Sequence, residues 1–182
     1  CLSLFSLYSQ GVTFPNEPPQ FVENTILNVP EEYLSIQIAL NAAESGDTIL
    51  VQPGTYIENI IWPETNGIKL ISAGDSSNTI IDGGGVSSVI YMNPQSATID
   101  TTTLIKGFKI TNGGNFENGS GIYINNSSLI LDGVLITGNS DVAFYVSNSN
   151  KIIFKNSSVI GNDGGNEWNS IVFAVYFEDN GS

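Results

Sequence analysis

Four carboxylates, Glu117, Asp141, Asp163 and Glu167, recur at about the spacing that successive turns of a repetitive chain would need to bring them to one edge. They lie in Asn112-Gly-Gly-Asn-Phe116-Glu117-Asn-Gly-Ser120, Gly138-Asn-Ser-Asp141 and Gly161-Asn-Asp163-Gly-Gly-Asn-Glu167-Trp168-Asn169, with no Lys among them. Hard oxygen donors of this kind suit calcium. Phe116 and Trp168 flank the set and could stack on a sugar ring. Two such carboxylates could also hydrolyse a glycosidic bond if they stood roughly 5 to 9.5 Å apart. The plain alternative is that Gly, Asn and Asp mark solvated turns. No catalytic or cofactor-binding residue can be assigned; calcium is the one cofactor the set would take.

The remaining composition narrows the chemistry. The chain has 182 residues, 18 Asp plus Glu against 5 Lys plus Arg, a formal charge of −13 and no His. Every one of its cations is a Lys. Nucleic acid binding needs clustered Lys and Arg, so this chain would repel phosphate, and an anionic membrane surface with it. Imidazole catalysis and His-metal schemes are excluded. A lone Cys1 allows no internal disulfide. Residues 1–10 include an apolar run that reads as the end of a signal peptide, with a mature N-terminal strand and lipidation of Cys1 as the alternatives. Residues 11–29 read as an N-terminal extension. No other apolar run approaches the ~18 residues of a membrane span.

The elements that must position these residues follow from periodicity. Ser35 is an N-cap signal, Ile36, Ala39, Leu40 and Ala43 have helical spacing, and Gly46 is a stop, which predicts a helix at about 35–45. From Thr48 onward β-branched runs at 48–51, 68–71, 79–81, 89–91, 104–110, 122–124 and 129–136 alternate with Gly, Asn, Asp and Ser. A charged residue followed by Gly or Asn recurs at Glu58-Asn59, Asp82-Gly83, Lys106-Gly107, Asp132-Gly133, Lys155-Asn156 and Asp179-Asn180, a period of roughly 24 residues. Gly and Asn tolerate a left-handed backbone, so one corner is expected to turn there once per coil. Its charges then form a ladder alternating in sign from Asp82. Tyr123 with Tyr145, and Gly138-Asn139 with Gly161-Asn162, repeat at nearly the same period. Short strands joined by polar corners specify an all-β, single-stranded parallel β-helix of about six coils. The short N-terminal helix caps it, and residues 30–182 form the domain. No closing cap follows Asn180, so continuation beyond Ser182 is expected.

The segment Ser35-Ile-Gln-Ile-Ala-Leu-Asn-Ala-Ala-Glu-Ser-Gly-Asp-Thr-Ile-Leu-Val-Gln-Pro-Gly-Thr-Tyr-Ile-Glu-Asn59, with Asn78-Thr-Ile-Ile-Asp-Gly-Gly84, resembles the opening of secreted right-handed parallel β-helix proteins of the pectin-lyase-like superfamily. Gly121-Ile-Tyr-Ile and Leu-Ile-Thr-Gly-Asn139 resemble their repeat coils. The resemblance implies a right-handed coil and a secreted, bacterial-surface or outer-membrane location. Its enzymes do not carry over residue by residue. Gly54-Thr-Tyr-Ile-Glu58 is of a type found in pectin methylesterases, but their Gln, paired Asp and Arg motifs have no counterpart here. The Arg base of pectate lyases and the His and Arg motifs of polygalacturonases are absent. The expectation is therefore a non-catalytic exported module for adhesion or glycan binding, monomeric in full-length form, with a polysaccharide or surface glycan as partner. The competing expectation is a polysaccharide lyase, hydrolase or esterase with its site elsewhere or on the acidic loops.

Overall fold

The computed structural model describes residues 23–114, 121–140, 142–149 and 151–162, together with the backbone of 175–178. The first described elements are β1 (Ile26–Val29) and α1 (Ile36–Ala42), followed by β2 (Thr48–Val51), β3 (Gly54–Ile57) and β4 (Ile60–Ile61). Triplets then repeat: β5 (Lys69–Ser72), β6 (Thr79–Asp82), β7 (Ile90–Met92); β8 (Leu104–Lys106), β9 (Lys109–Thr111), β10 (Ile122–Asn125); β11 (Leu129–Asp132), β12 (Leu135–Ile136), β13 (Phe144–Ser147). The last described strands are β14 (Ile152–Lys155), β15 (Ser158–Val159) and β16 (Val175–Glu178). Strands of like position stack in parallel into three sheets. Sheet A runs β1-β2-β5-β8-β11-β14-β16, sheet B runs β3-β6-β9-β12-β15, and sheet C runs β4-β7-β10-β13. Among the described residues the fold is an all-β parallel solenoid with one short helix, the class expected, with about five turns where about six coils were expected.

Alternation along each strand builds the core, because side chains two residues apart share a face. Sheet A sends Leu27, Ile49, Leu70, Ile105, Leu131 and Phe154 inward in one in-register column, all buried. Sheet C contributes Ile60, Ile90, Ile122 and Phe144, then Met92, Ile124 and Val146. Sheet B adds Ile81, Ile110 and Ile136. Each buried aliphatic contributes about 1.5 to 3 kcal/mol relative to exposure, so stability accumulates turn by turn.

Gly and Asn at the corners supply the left-handed backbone that a sharp turn requires. After sheet A the column is Gly107, Gly133 and Asn156, with φ of 78, 62 and 50°. After sheet B it is Asn112, Gly138 and Gly161, at 56, 66 and 60°. After sheet C it is Asn126 and Asn148, at 52 and 49°. The single charged corner expected from the sequence is in fact two corners. Glu58 and Asp82 follow or end strands of sheet B, whereas Lys106, Asp132 and Lys155 end strands of sheet A. Asn59 and Gly83 are not among the positive-φ residues. The residues between β7 and β8 lengthen that turn, so Gly83 and Gly107 fall one period apart in sequence without stacking in space.

The alternating charges survive within sheet A. Lys106 Nζ lies 3.0 Å from Asp132 Oδ2, and Asp132 is in register with Lys155. Burial pushes the Asp132 carboxyl up, but the hydrogen bond from Asn156 Nδ2 and the ammonium groups of Lys106 and Lys155 outweigh it, and the net direction is down. Beyond Lys155 the register partner is Glu178, not Asp179.

One carboxylate gathers three successive backbone N–H groups in the long connection after β7. Glu64 accepts from the backbone N–H of Gln95 at 2.5 Å, Ser96 at 3.0 Å and Ala97 at 2.8 Å, and from the Ser96 hydroxyl at 2.9 Å. Backbone donors of this kind stabilise the charged form and hold Glu64 at about 2, against an ordinary 4.5. A depressed pKa means that the tether's contribution is fully present above pH 4.5 and is lost as pH falls through about 2. A carbon-13 NMR titration of the Glu64 carboxyl is expected to show its midpoint near 2. A midpoint at the ordinary value would show that the tether does not form in solution.

Candidate functional site: the outer face of sheet C

The six residues singled out for chemistry, Phe116, Glu117, Asp141, Asp163, Glu167 and Trp168, lie outside the described residues. The bases of their loops are described, and they meet at the corner after sheet B. Asn112 N–H donates to Gly138 O and Gly138 N–H to Gly161 O, at 3.1 and 2.9 Å. Inside that corner the buried Asn139 accepts from Gly113 N–H at 2.9 Å and donates to Asn162 Oδ1 at 2.9 Å. Among the described residues, no cluster of three or more carboxylate or Cys side chains could hold a metal.

Sheet C carries a different constellation on its outer face. Since Ile90, Ile122 and Phe144 point inward, the next residue of each strand points out. These residues are Tyr91, Tyr123 and Tyr145, in register across β7, β10 and β13, with Ile61 of β4 completing the column. The rings stack with centroids 4.7 Å apart at 10° between Tyr91 and Tyr123, and 5.1 Å apart at 6° between Tyr123 and Tyr145. Tyr91 is 38% exposed and Tyr123 only 9%. Burial, and then the neighbouring Tyr91 and Tyr145, push the Tyr123 phenol up.

A polar column runs beside the aromatic one. Asn93 Nδ2 donates to the Tyr91 hydroxyl at 2.9 Å, and Asn125 Nδ2 donates to Asn93 Oδ1 at 2.8 Å. Asn125 Oδ1 accepts from the Ser147 hydroxyl and from Asn148 Nδ2, both at 2.8 Å. These bonds fix the amide orientations. Among the described residues the face carries no formal charge: ring edges and phenolic hydroxyls repeat about every strand spacing, with amides alongside. The Tyr123 faces are covered by both neighbours, so the column would meet a ligand with ring edges and hydroxyls. It would act mainly as a comb of hydrogen-bonding groups on an apolar backing.

Tyr123 and Tyr145 hold equivalent positions in the sequence repeat, but a single strand does not reveal that its outward residue joins a column. The signal available was a Tyr flanked by β-branched or apolar residues in three strands. The fold and face define a parallel β-solenoid with an uncharged aromatic and amide stripe. The chain has no significant match among protein-family models, curated proteins or solved structures. Among the described residues, no helix is long and apolar enough to cross a membrane.

Proposed function

We propose that this is an exported, non-catalytic β-helix module of the right-handed, pectin-lyase-like kind, which binds glycan or adheres to a glycan-bearing surface through the outer face of sheet C. The observation that carries the reading is the in-register column Tyr91, Tyr123 and Tyr145 beside Asn93 and Asn125. Such a face offers apolar area with aligned polar groups, as carbohydrate recognition needs. A glycan extended along the axis would meet the same groups at each turn. The described residues of this face carry no charge, on a chain of −13 overall, which favours neutral sugars over uronates.

The test is a binding screen by affinity electrophoresis against neutral polysaccharides, pectin and alginate, each with and without calcium, together with assays for turnover. Binding without turnover is expected. Tyr91→Ala, at the exposed end of the column, should weaken it at least tenfold, about 1.4 kcal/mol. Turnover that disappears in Asp163→Ala would replace this reading by the enzymatic one, and no binding to any glycan would remove it.

A further inference from the structure

The tyrosine column also has a chemistry that glycan binding does not use. Three phenols stand on adjacent, in-register strands whose anchor points are about 4.8 Å apart. Their rings are nearly parallel and 4.7 and 5.1 Å apart. One end, Tyr91, is substantially exposed.

We propose that Tyr91, Tyr123 and Tyr145 form an oxidative cross-linking site, at which a one-electron oxidant such as a haem peroxidase with hydrogen peroxide joins neighbouring rings into dityrosine. Each of two phenols gives one electron and one proton to the oxidant, so one peroxide becomes two waters. The two phenoxyl radicals form a bond between their ortho carbons. The hydrogen on each of those carbons then returns to its phenolic oxygen, and the product lacks two hydrogens relative to the parent. The exposed Tyr91 meets the oxidant, and the stacked faces pass the radical on to Tyr123. Coupling requires the two rings to tilt out of parallel. The link ties one turn of the solenoid to the next, across a contact that otherwise rests on strand hydrogen bonds and packing.

The experiment treats the full chain with peroxidase and peroxide, follows dityrosine fluorescence, and maps the linked peptides by mass spectrometry. The expected product is a monomeric chain that has lost two hydrogens, linked between Tyr123 and either Tyr91 or Tyr145, with a raised melting temperature. Tyr123→Phe keeps the ring stack but interrupts the phenols, and should reduce the fluorescence to background with the circular dichroism spectrum unchanged. Tyr33→Phe, outside the column, should leave the yield unchanged. Links formed only between chains, links among other tyrosines, a yield unaffected by Tyr123→Phe, or no dityrosine at all would each overturn the proposal.

Discussion

Gly121→Ala is expected to destabilise the protein by about 3 kcal/mol, the upper end of what overpacking costs. Gly121 leads into β10, and the backbone of the next turn passes close beside it. A Cβ added there would fall far inside van der Waals contact with the Ala143 carbonyl oxygen and 2.9 Å from Ile136 Cγ2. The Ala143 oxygen cannot yield cheaply, because it accepts the Ile122 N–H at 2.9 Å. Gly121 O in turn accepts from Val89 N–H at 3.0 Å and from Ile90 N–H at 3.2 Å. A methyl group at this point therefore strains hydrogen bonds to the turns on both sides. In a solenoid each turn is held mainly by its neighbours, so the damage should appear as a lower denaturation midpoint and a broader transition. Gly54→Ala is the control. An added Cβ there meets the Tyr56 ring at an ordinary 3.6 Å, and Gly54 has no positive φ. A change there within about 0.5 kcal/mol, beside a large loss at Gly121, is the expected contrast in urea denaturation. Equal effects would show that the turns are not packed as described.

The same local sterics explain how much of this fold could be read from the sequence. The expected strand at 48–51 is β2 without adjustment, and Ser35 caps α1 as expected, its side chain accepting the Ile38 N–H at 3.2 Å. Tyr123 with Tyr145 is a true register pair, and Gly138 bonds to Gly161 as their alignment implied. The runs at 104–110 and 129–136 each looked like one strand but are two. Phe108 and Val134 sit at the corner yet point into the core, at 0% and 1% exposure, so the apolar pattern continues through the bend at Gly107 and Gly133. Periodicity registers burial; it does not register a change of sheet. β1 escaped notice because a four-residue edge strand carries little pattern by itself. The longer connection between β7 and β8 merged two corners into one apparent ladder. The acidic loops drew attention because charge is conspicuous in a sequence. The tyrosine and amide columns are conspicuous only once stacking is known.

Glu58 shows the consequence of that merged ladder and carries the second large effect. The sequence pattern places it at the corner just before the alternating charges begin, whereas its carboxylate caps α1: Oε1 accepts Ile36 N–H and Oε2 accepts Gln37 N–H, each at 2.9 Å. These are donors that a helix start leaves without intrahelical partners. Two hydrogen bonds to a charged group, at about 1.5 kcal/mol each, put the expected cost of Glu58→Ala near 3 kcal/mol. The helix so anchored buries Ile36, Ala39 and Leu40 completely. It also closes sheet C, because the Gln37 side-chain amide accepts Ile61 N–H at 2.7 Å and donates to Ile61 O at 2.9 Å, standing where a further strand would pair. Releasing α1 opens the β4 edge, and an open edge recruits other chains. Glu58→Ala should therefore lower the denaturation midpoint and, in analytical ultracentrifugation, give association that grows with concentration. Glu58→Gln, which retains one acceptor, should fall between Glu58→Ala and the parent. Gln37→Ala separates the two roles: it leaves the Glu58 cap in place and exposes only the edge, so association should appear with little loss of stability. If Glu58→Ala unfolds within about 0.5 kcal/mol of the parent, the carboxylate does not hold the helix, and the cap rests on the packing of Ile36, Ala39 and Leu40 alone.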